Sequence, residues 1–230
     1  EVGRLVEQPT RRAFLQRSLT LGGLSLLSGC ALAKISRLND KAQGWLFDPK
    51  QLAPTYQESM ITRPFPFNAF YAESEIPAVD EAAYRLEVTG LVAHRKTWSL
   101  AELRAIPQTD QVTRHICVEG WSAIGKWGGV PFASFLQRVG ADTHARYVGF
   151  KCADDYYTSI DMPTALHPQT LLALSYDSQP LPARNGFPMK LRIPTKLGYK
   201  NPKHVQAIFV TNIYPGGYWE DQGYNWFGGS

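Results

Sequence analysis

The stretch RHICVEGWSAIGKWGGVP, residues 114–131, decides how the rest of the chain is interpreted. It contains Cys117, then Glu119 two positions later, and a glycine pair ahead of a proline. A thiolate is a good ligand for soft, redox-active metals, and the adjacent Arg114 and His115 favour the ionised sulfur. The local residues leave two interpretations open, a metal-ligating thiolate and a buried structural cysteine, which is the commoner role of a lone thiol.

Length and composition favour a single domain that binds a metal or a small molecule. The chain has 230 residues, of which 44% are hydrophobic and 12% aromatic, enough for one sizeable core. The formal net charge is only +4, and no run of lysine and arginine is interleaved with aromatic residues. This pattern excludes nucleic acid as an expected partner.

The N-terminal residues 1–29 are predicted to be a signal segment. Arg11 and Arg12 form a twin-arginine pattern, and the apolar run over 19–27 is too short to span a bilayer. The run ends in Leu-Ser-Gly-Cys, which resembles a bacterial lipobox, so we expect a lipid anchor at Cys30. The alternative is a buried amphipathic helix with an incidental arginine pair. Because the twin-arginine route carries folded proteins, the signal also indicates a cofactor inserted before export, to the periplasmic or cell-surface side of the membrane.

Two cysteines remain once Cys30 is assigned to the lipid. Cys117 and Cys152 could form a disulfide in an exported chain, or one could hold a metal while the other is buried.

The composition divides the remaining chain into two parts. Residues 30–66 contain four prolines and no sustained period, which predicts a tether followed by an extended arm that wraps the domain. Residues 67–230 are predicted to form the catalytic domain.

Hydrophobic periodicity in that domain predicts many strands and few short helices. Ser99 and Glu102 fit a capping box that opens a short helix, and a second helix begins at Pro131 and stops at Gly140. A helical turn is predicted over 162–166. The strand over 111–117 is predicted to lead into a loop. Together these patterns indicate a sheet-rich α+β domain, with strands over 84–90, 111–117, 146–152, 156–160, 171–176, 189–193 and 205–212.

Four blocks in a fixed order identify a family resemblance. They are NAFY at 68–71, CVEGWS at 117–122, NGFP at 185–188 and LGYKNPK at 197–203. In this order the chain resembles the molybdopterin-binding domain of the sulfite oxidase superfamily, most closely the periplasmic methionine-sulfoxide reductase catalytic subunits. The resemblance covers residues 65–227 and implies a mixed, sheet-rich fold of the sulfite oxidase type.

The resemblance implies a molybdenum–molybdopterin cofactor and a role for several residues. Cys117 would provide the protein thiolate to molybdenum, completing the sulfur ligands of the pterin dithiolene. Asn68 and Tyr71 would line the pocket of the pterin and the metal, and Asn185 would hydrogen-bond the cofactor.

A second group of residues would hold the pterin phosphate. Lys203, with backbone groups of Asn201 and Pro202, is expected there because an ammonium and N–H donors suit a dianion. Lys190 stands where similar sequences carry arginine. A lysine can still contact a phosphate, but it lacks the two parallel N–H donors of a guanidinium group. Cys152 stands where they carry threonine, so it could face the cofactor without binding the metal.

The resemblance also implies a reaction, two-electron oxo transfer, with reduction of a sulfoxide as the favoured direction. Such a reduction consumes two protons, and Glu119, two residues beyond the thiolate, is the candidate that supplies one. Asn68 and Glu119 in the substrate neighbourhood disfavour a dianion. The alternatives are a sulfite-type oxyanion dehydrogenase and a cofactor-free binding lipoprotein that kept the fold.

The electrons for this reaction require a partner. The sequence contains no Cys-x-x-Cys-His haem site and no iron–sulfur cysteine set. By resemblance we expect a membrane haem protein or a soluble cytochrome. We also expect a monomer, because the sequence ends at Ser230 without the immunoglobulin-like dimerisation domain of classical sulfite oxidases.

Overall fold

The computed structural model describes Ala42, Trp45, Asp48 and residues 50–230. The predicted signal segment and Cys30 therefore lie outside the described residues. Residues 50–230 all belong to one unit, Gln43–Ser230, built from two sheets and few helices. This composition confirms the α+β class. No helix in the described part of the chain is long and apolar enough to cross a membrane.

The described chain contains ten strands, three short α-helices and five 3-10 turns. The strands are β1 Arg85–Gly90, β2 Lys96–Ser99, β3 Thr109–Ile116, β4 Ser122–Pro131, β5 Tyr147–Cys152, β6 Tyr157–Asp161, β7 Leu171–Tyr176, β8 Gln179–Pro180, β9 Lys190–Arg192 and β10 Val205–Thr211. The helices are α1 Leu100–Arg104, α2 Phe132–Arg138 and α3 Met162–Ala165. The 3-10 turns are Glu58–Met60, Glu73–Glu75, Ala183–Asn185, Gly198–Lys200 and Glu220–Gln222.

The first sheet has the strand order β2-β1-β10-β5-β6. Its central strand, β10, runs parallel to β1 and antiparallel to β5, so the two ends of the domain meet in the middle of the sheet. Leu86 and Val88 alternate with exposed neighbours in β1 and are fully or almost fully buried, as a half-buried strand requires. The apolar face of this sheet carries most of the hydrophobic core.

The second sheet consists of β3, β4 and β7, with β8 and β9 both pairing with β7. Its strand β4 differs from the sequence prediction, which placed a loop after β3. The misleading residues are glycines, which are depleted in strands. A Cβ atom on Gly129 would lie 2.0 Å from the carbonyl oxygen of Leu172, so only glycine allows β4 and β7 to approach here.

The two predicted helix starts are confirmed. The backbone N–H of Glu102 donates to the Ser99 hydroxyl at 3.2 Å, and the Glu102 carboxylate accepts from the Ser99 N–H at 2.8 Å. This capping box opens α1 directly after β2. Helix α2 follows Pro131 and buries Phe132, Phe135 and Leu136 against the core.

The chain before β1 packs along the second sheet. The N–H of Tyr56 donates to the carbonyl of Val112 in β3 at 3.0 Å, and that of Thr62 to Ile124 in β4 at 2.9 Å. Phe65 is buried beside β4. The segment 50–66 thus contacts the sheet that leads to Cys117.

Candidate active site

The key cysteine lies in a tight turn between the long strands β3 and β4. The Cys117 N–H donates to the carbonyl of Trp121 at 2.9 Å, and the N–H of Gly120 donates back to the Cys117 carbonyl at 3.2 Å. Gly120 has a φ of +92°, which a residue with a side chain rarely adopts. The turn places Cys117 at the strand end and leaves Val118 and Glu119 exposed.

The Cys117 thiol is buried, with 7% of its surface exposed. Its sulfur lies 3.6 Å from Oε2 of Glu119, and the same oxygen accepts a hydrogen bond from Nε1 of Trp121 at 2.8 Å. Burial raises the pKa of the Cys117 thiol, while the backbone N–H of Glu119 lowers it and the Glu119 carboxylate raises it again. The protein surroundings alone therefore favour a neutral thiol.

Cys117 forms part of the wall of a cavity of about 260 Å³. The lining combines polar groups with aromatic rings, as is typical of small-molecule and cofactor sites. The cavity is lined by Asn68, Ala69, Phe70, Cys117, Val118, Glu119, Asp154, Tyr156, Gly198, Tyr199, Asn201, Pro202, Lys203, Trp219 and Tyr224.

Six of the sequence-predicted residues lie together in this wall, although they come from three separate blocks of sequence. The turn at Cys117, the segment 68–71 and the 3-10 turn Gly198–Lys200 converge here. Their roles toward a cofactor stay predictions. The six are Asn68, Cys117, Glu119, Asn201, Pro202 and Lys203.

Four predicted residues do not line the cavity directly, and Tyr71 is the first of them. Its hydroxyl donates to the Asp154 carboxylate at 2.9 Å, and Asp154 does line the cavity. Burial and the Asp154 charge raise the pKa of the Tyr71 hydroxyl. Tyr71 thus fixes a wall residue and is one hydrogen bond away from the cavity.

Asn185 is buried in the 3-10 turn that ends at Gly186. Gly186 has a φ of +114°, and a Cβ atom there would lie 2.9 Å from Cγ of Lys203. The turn NGFP is therefore pressed against Lys203, which brings the third and fourth sequence blocks together.

Cys152 and Cys117 are both free thiols, so the disulfide interpretation is wrong. Cys152 ends β5, is buried, and its N–H donates to the carbonyl of Tyr156 at 3.0 Å. Burial raises the pKa of its thiol well above the ordinary value. Cys152 lies behind the cavity wall that Tyr156 forms.

Lys190, one of the two cations predicted from the sequence, is almost fully buried in β9. Its ammonium lies 5.4 Å from the ring centroid of Trp127 and, within the described part of the chain, forms no ion pair. Burial, then the charges of Lys203 and Arg192, lower the pKa of Lys190 well below its ordinary value. The Asp154 charge opposes this lowering, but burial and the neighbouring cations outweigh it.

Two further cations stand close to it. Burial lowers the pKa of Lys203 to about 8 and that of Arg192 to about 9. Their recorded hydrogen-bond acceptors are neutral, because Lys203 donates to the carbonyl of Arg184 at 3.1 Å and Arg192 to the Asn201 side chain at 3.0 Å. Within residues 50–230 none of these three buried cations forms an ion pair, although the Asp154 charge raises the pKa of Lys190 and Lys203. Such a group of cations fits an anionic ligand, such as a cofactor bearing a phosphate.

Several cavity residues were not singled out from the sequence. Tyr199 lay inside a recognised block, and Asp154 lies between the predicted strands over 146–152 and 156–160. Trp219 and Tyr224 belong to an irregular C-terminal segment in which no hydrophobic period signals a site. Their density of aromatic residues was the one available signal.

Comparison with known proteins identifies the family of the chain. The family model described as the oxidoreductase molybdopterin binding domain matches residues 73–219. A protein of Azospira oryzae, provisionally named the protein-methionine-sulfoxide reductase subunit YedZ1, is 72% identical over the whole chain and 92% of its own length. The protein-methionine-sulfoxide reductase catalytic subunit MsrP of Xanthomonas campestris is 34% identical over 60% of this chain and 48% of its own.

A solved structure shares the fold. The sulfane dehydrogenase SoxCD of Paracoccus pantotrophus superposes with a TM-score of 0.56 over 60% of this chain and 40% of its own, at 18% identity. The family match spans most of the described chain and confirms the resemblance drawn from the four sequence blocks. The chain therefore belongs to the molybdopterin-binding oxidoreductases and is a molybdenum-dependent enzyme whose cofactor is molybdenum bound to molybdopterin.

Proposed function

We propose that this chain is the catalytic subunit of a reductase for uncharged sulfoxides, such as methionine sulfoxide in proteins. The observation that carries the proposal is the charge of the cavity beside Cys117. Among the described residues, the cation that lines this cavity is the buried Lys203, whereas Glu119 and Asp154 supply two carboxylates. With the buried cations engaged by the anionic cofactor, the two carboxylates would disfavour a sulfite dianion and tolerate a neutral, polar S=O group. The names of the two relatives support the same reaction.

The residues that would hold the cofactor follow from their donor chemistry. Cys117 would provide the thiolate, and the cations Lys190 and Lys203 would compensate the negative charge of the pterin and its phosphate. When bound there, the molybdenum cofactor would supply the two-electron oxo-transfer chemistry. Asn68, Tyr71, Asn185 and Cys152, like the backbone of Asn201 and Pro202, would shape the surrounding pocket.

Proton supply is the role we assign to Glu119. Reduction of a sulfoxide to a thioether takes up two electrons and two protons and releases one water molecule. Glu119 is exposed to solvent, lines the cavity, and is oriented by the hydrogen bond from Trp121. A carboxylate in that position can pass protons from water to the reacting oxygen.

The location and the partners are proposed from the sequence motifs. Export in the folded state would follow from Arg11 and Arg12, and attachment to the periplasmic or outer face of a membrane from a lipid at Cys30. Electrons would come from a membrane haem protein or a soluble cytochrome, and the catalytic subunit would act as a monomer.

The experiment that tests this function compares two reactions of one purified preparation. We expect stoichiometric molybdenum and pterin, oxidation of a reduced viologen dye by methionine sulfoxide, and no reduction of ferricyanide by sulfite. The Cys117→Ser variant is the matched control for dye oxidation without the protein thiolate. Sulfite oxidation without sulfoxide reduction would overturn the proposal in favour of an oxyanion dehydrogenase. A folded protein without molybdenum would favour the binding lipoprotein.

A further inference from the structure

The strand that leads to Cys117 carries a second polar side chain on its buried face. Side chains alternate across a strand, so His115, two positions before Cys117, points to the same side of β3. Both side chains are buried, whereas Arg114, next to His115, is exposed. His115 therefore belongs to the face on which the predicted metal ligand lies.

The imidazole of His115 is fully buried, and among the described residues neither of its nitrogens has a hydrogen-bond partner. Buried polar side chains in native proteins are almost always hydrogen-bonded, and an unpaired one destabilises the fold. His167, which is also buried, shows the usual arrangement. Its Nδ1 accepts from the backbone N–H of Gln169 at 3.2 Å, and its Nε2 lies 3.0 Å from the carbonyl oxygen of Gln51. His115 thus has a hydrogen-bonding capacity that residues 50–230 do not use.

The ring of His115 lies directly behind the cavity wall. Phe65 and Trp121 pack against it, with 5.8 and 5.7 Å between ring centroids. A third neighbour is Gly198, on which a Cβ atom would lie 2.8 Å from Nε2 of His115 and 3.6 Å from Nδ2 of Asn68. Gly198 and Asn68 both line the cavity. The backbone of a glycine therefore separates Nε2 from the cavity.

The ring also lies close to the buried cations. Burial lowers the pKa of His115 well below its ordinary value, and the charges of Lys190, Arg192 and Lys203 lower it further. Because His115 precedes Cys117 on one face of β3 and is near these cations, a ligand that contacts both the thiol and the cations passes the imidazole.

The cavity is smaller than a site for the whole cofactor has to be. Its volume of about 260 Å³ lies below the range of about 300–1,000 Å³ that is typical of small-molecule sites. Molybdopterin combines a fused ring system with a dithiolene and a phosphate, so it needs more than a minimal pocket. A site for the cofactor therefore extends beyond this cavity.

We infer that the cofactor site extends past Gly198 to His115, whose imidazole donates a hydrogen bond to the bound molybdopterin. An imidazole carries at least one N–H donor in either protonation state, and the pterin presents ring nitrogens and oxygens that accept such a bond. His115 lies outside the four sequence blocks, so this contact adds to those expected from the family. The inference concerns retention of the cofactor and does not depend on which substrate the enzyme reduces.

The test measures cofactor retention in His115→Leu, which removes both nitrogens and keeps an apolar side chain of similar size. Pterin content after purification and the rate of pterin loss on dilution are followed by the fluorescence of the oxidised pterin. We expect the variant to lose pterin about tenfold faster than the wild type, because one buried hydrogen bond is removed. His115→Gln keeps an N–H donor at a similar reach and should restore the rate to within about threefold of the wild type.

The second readout is the melting temperature of the loaded protein and of the cofactor-free protein, which is made in cells that lack the cofactor. His115→Leu should lower the melting temperature of the loaded protein but not that of the cofactor-free protein, where it removes two polar atoms without partners. The matched control is His167→Leu, which removes a histidine whose nitrogens both have protein partners. It should lower both melting temperatures and leave the rate of pterin loss unchanged.

Equal rates of pterin loss in His115→Leu and the wild type would refute the inference, and the imidazole would then bind a buried water only. A fall in melting temperature that is the same in the loaded and the cofactor-free protein would refute it as well, as would a cofactor-free His115→Leu protein that fails to fold. Faster pterin loss in His115→Leu would support the inference even if the wild type reduced no sulfoxide, so this inference and the proposed function fail separately.

Discussion

Replacing Lys203 by methionine should raise the stability of the cofactor-free protein and lower its retention of the cofactor. Burial lowers the pKa of this ammonium from 10.5 to about 8. At 1.36 kcal/mol per pKa unit, folding therefore disfavours its charged form by about 3 kcal/mol. The variant removes this cost and also the hydrogen bond to the Arg184 carbonyl, worth about 1 kcal/mol. At pH 7 the cofactor-free variant should be more stable by about 2 kcal/mol.

The pH dependence follows from the same pKa. Because the pKa of Lys203 is lower in the folded state, the unfolded chain binds more protons between pH 8 and 10.5. The free energy of unfolding of the wild type should therefore rise with pH across this window relative to that of Lys203→Met. Near pH 10.5 the free energy of unfolding of Lys203→Met should no longer exceed that of the wild type.

The assay is urea unfolding of both proteins at pH 7 and pH 10.5, purified from cells that cannot make the cofactor. Lys200→Met is the control, because the Lys200 ammonium is buried in an ion pair with Glu220. Breaking that pair should cost about 3–5 kcal/mol. In cofactor-producing cells, Lys203→Met should retain at least tenfold less pterin. Lower stability of Lys203→Met at pH 7, or full cofactor content, would refute the reasoning.

Four further predictions concern single residues. Cys117→Ser should abolish turnover and shift the molybdenum paramagnetic resonance signal, and an unchanged spectrum would place the metal elsewhere. Glu119→Gln should lower kcat at least tenfold with molybdenum content unchanged, and a normal kcat would remove Glu119 from proton supply. Gly129→Ala should lower the melting temperature, because the added Cβ clashes with the backbone at a cost of about 3 kcal/mol or more. At Gly120 there is space for a Cβ but φ is positive, so Gly120→Ala should lower the free energy of unfolding by only about 1 kcal/mol. Cys30→Ala should release the exported protein from membranes in a carbonate wash, and retention there would contradict a lipid anchor.

Local sequence patterns were sufficient to predict an element where residues within that element determine its structure. The alternation over β1 and the capping box at Ser99 each gave the element and its approximate bounds. Strand β4 was missed because its glycines are required by close contacts with residues that are distant in sequence. At Gly129 the constraint is the backbone of Leu172 in β7, which no local pattern contains.

The site was predictable in the same uneven way. The family blocks identified Cys117 and Lys203, which do lie in one cavity. The aromatic part of the cavity wall was not found, because Phe70 follows an irregular arm and Trp219 lies near the opposite end of the chain. In the fold these two regions meet directly, because Phe70 stacks on Tyr218 and Tyr218 contacts Trp219.

The buried cations that form no ion pair within residues 50–230 link protein stability to cofactor binding. Lys190, Arg192 and Lys203 are buried at a cost in folding free energy, whereas Lys200 is neutralised by Glu220 a short distance away in sequence. An anionic ligand that binds only the folded state recovers that cost and stabilises the fold by mass action. The loaded protein is therefore the more stable species, and a chain of this kind gains from acquiring its cofactor before it leaves the compartment where the cofactor is made. The twin-arginine pattern at Arg11 and Arg12 is predicted to direct transport of an already folded protein, and we propose it as the sequence counterpart of that requirement.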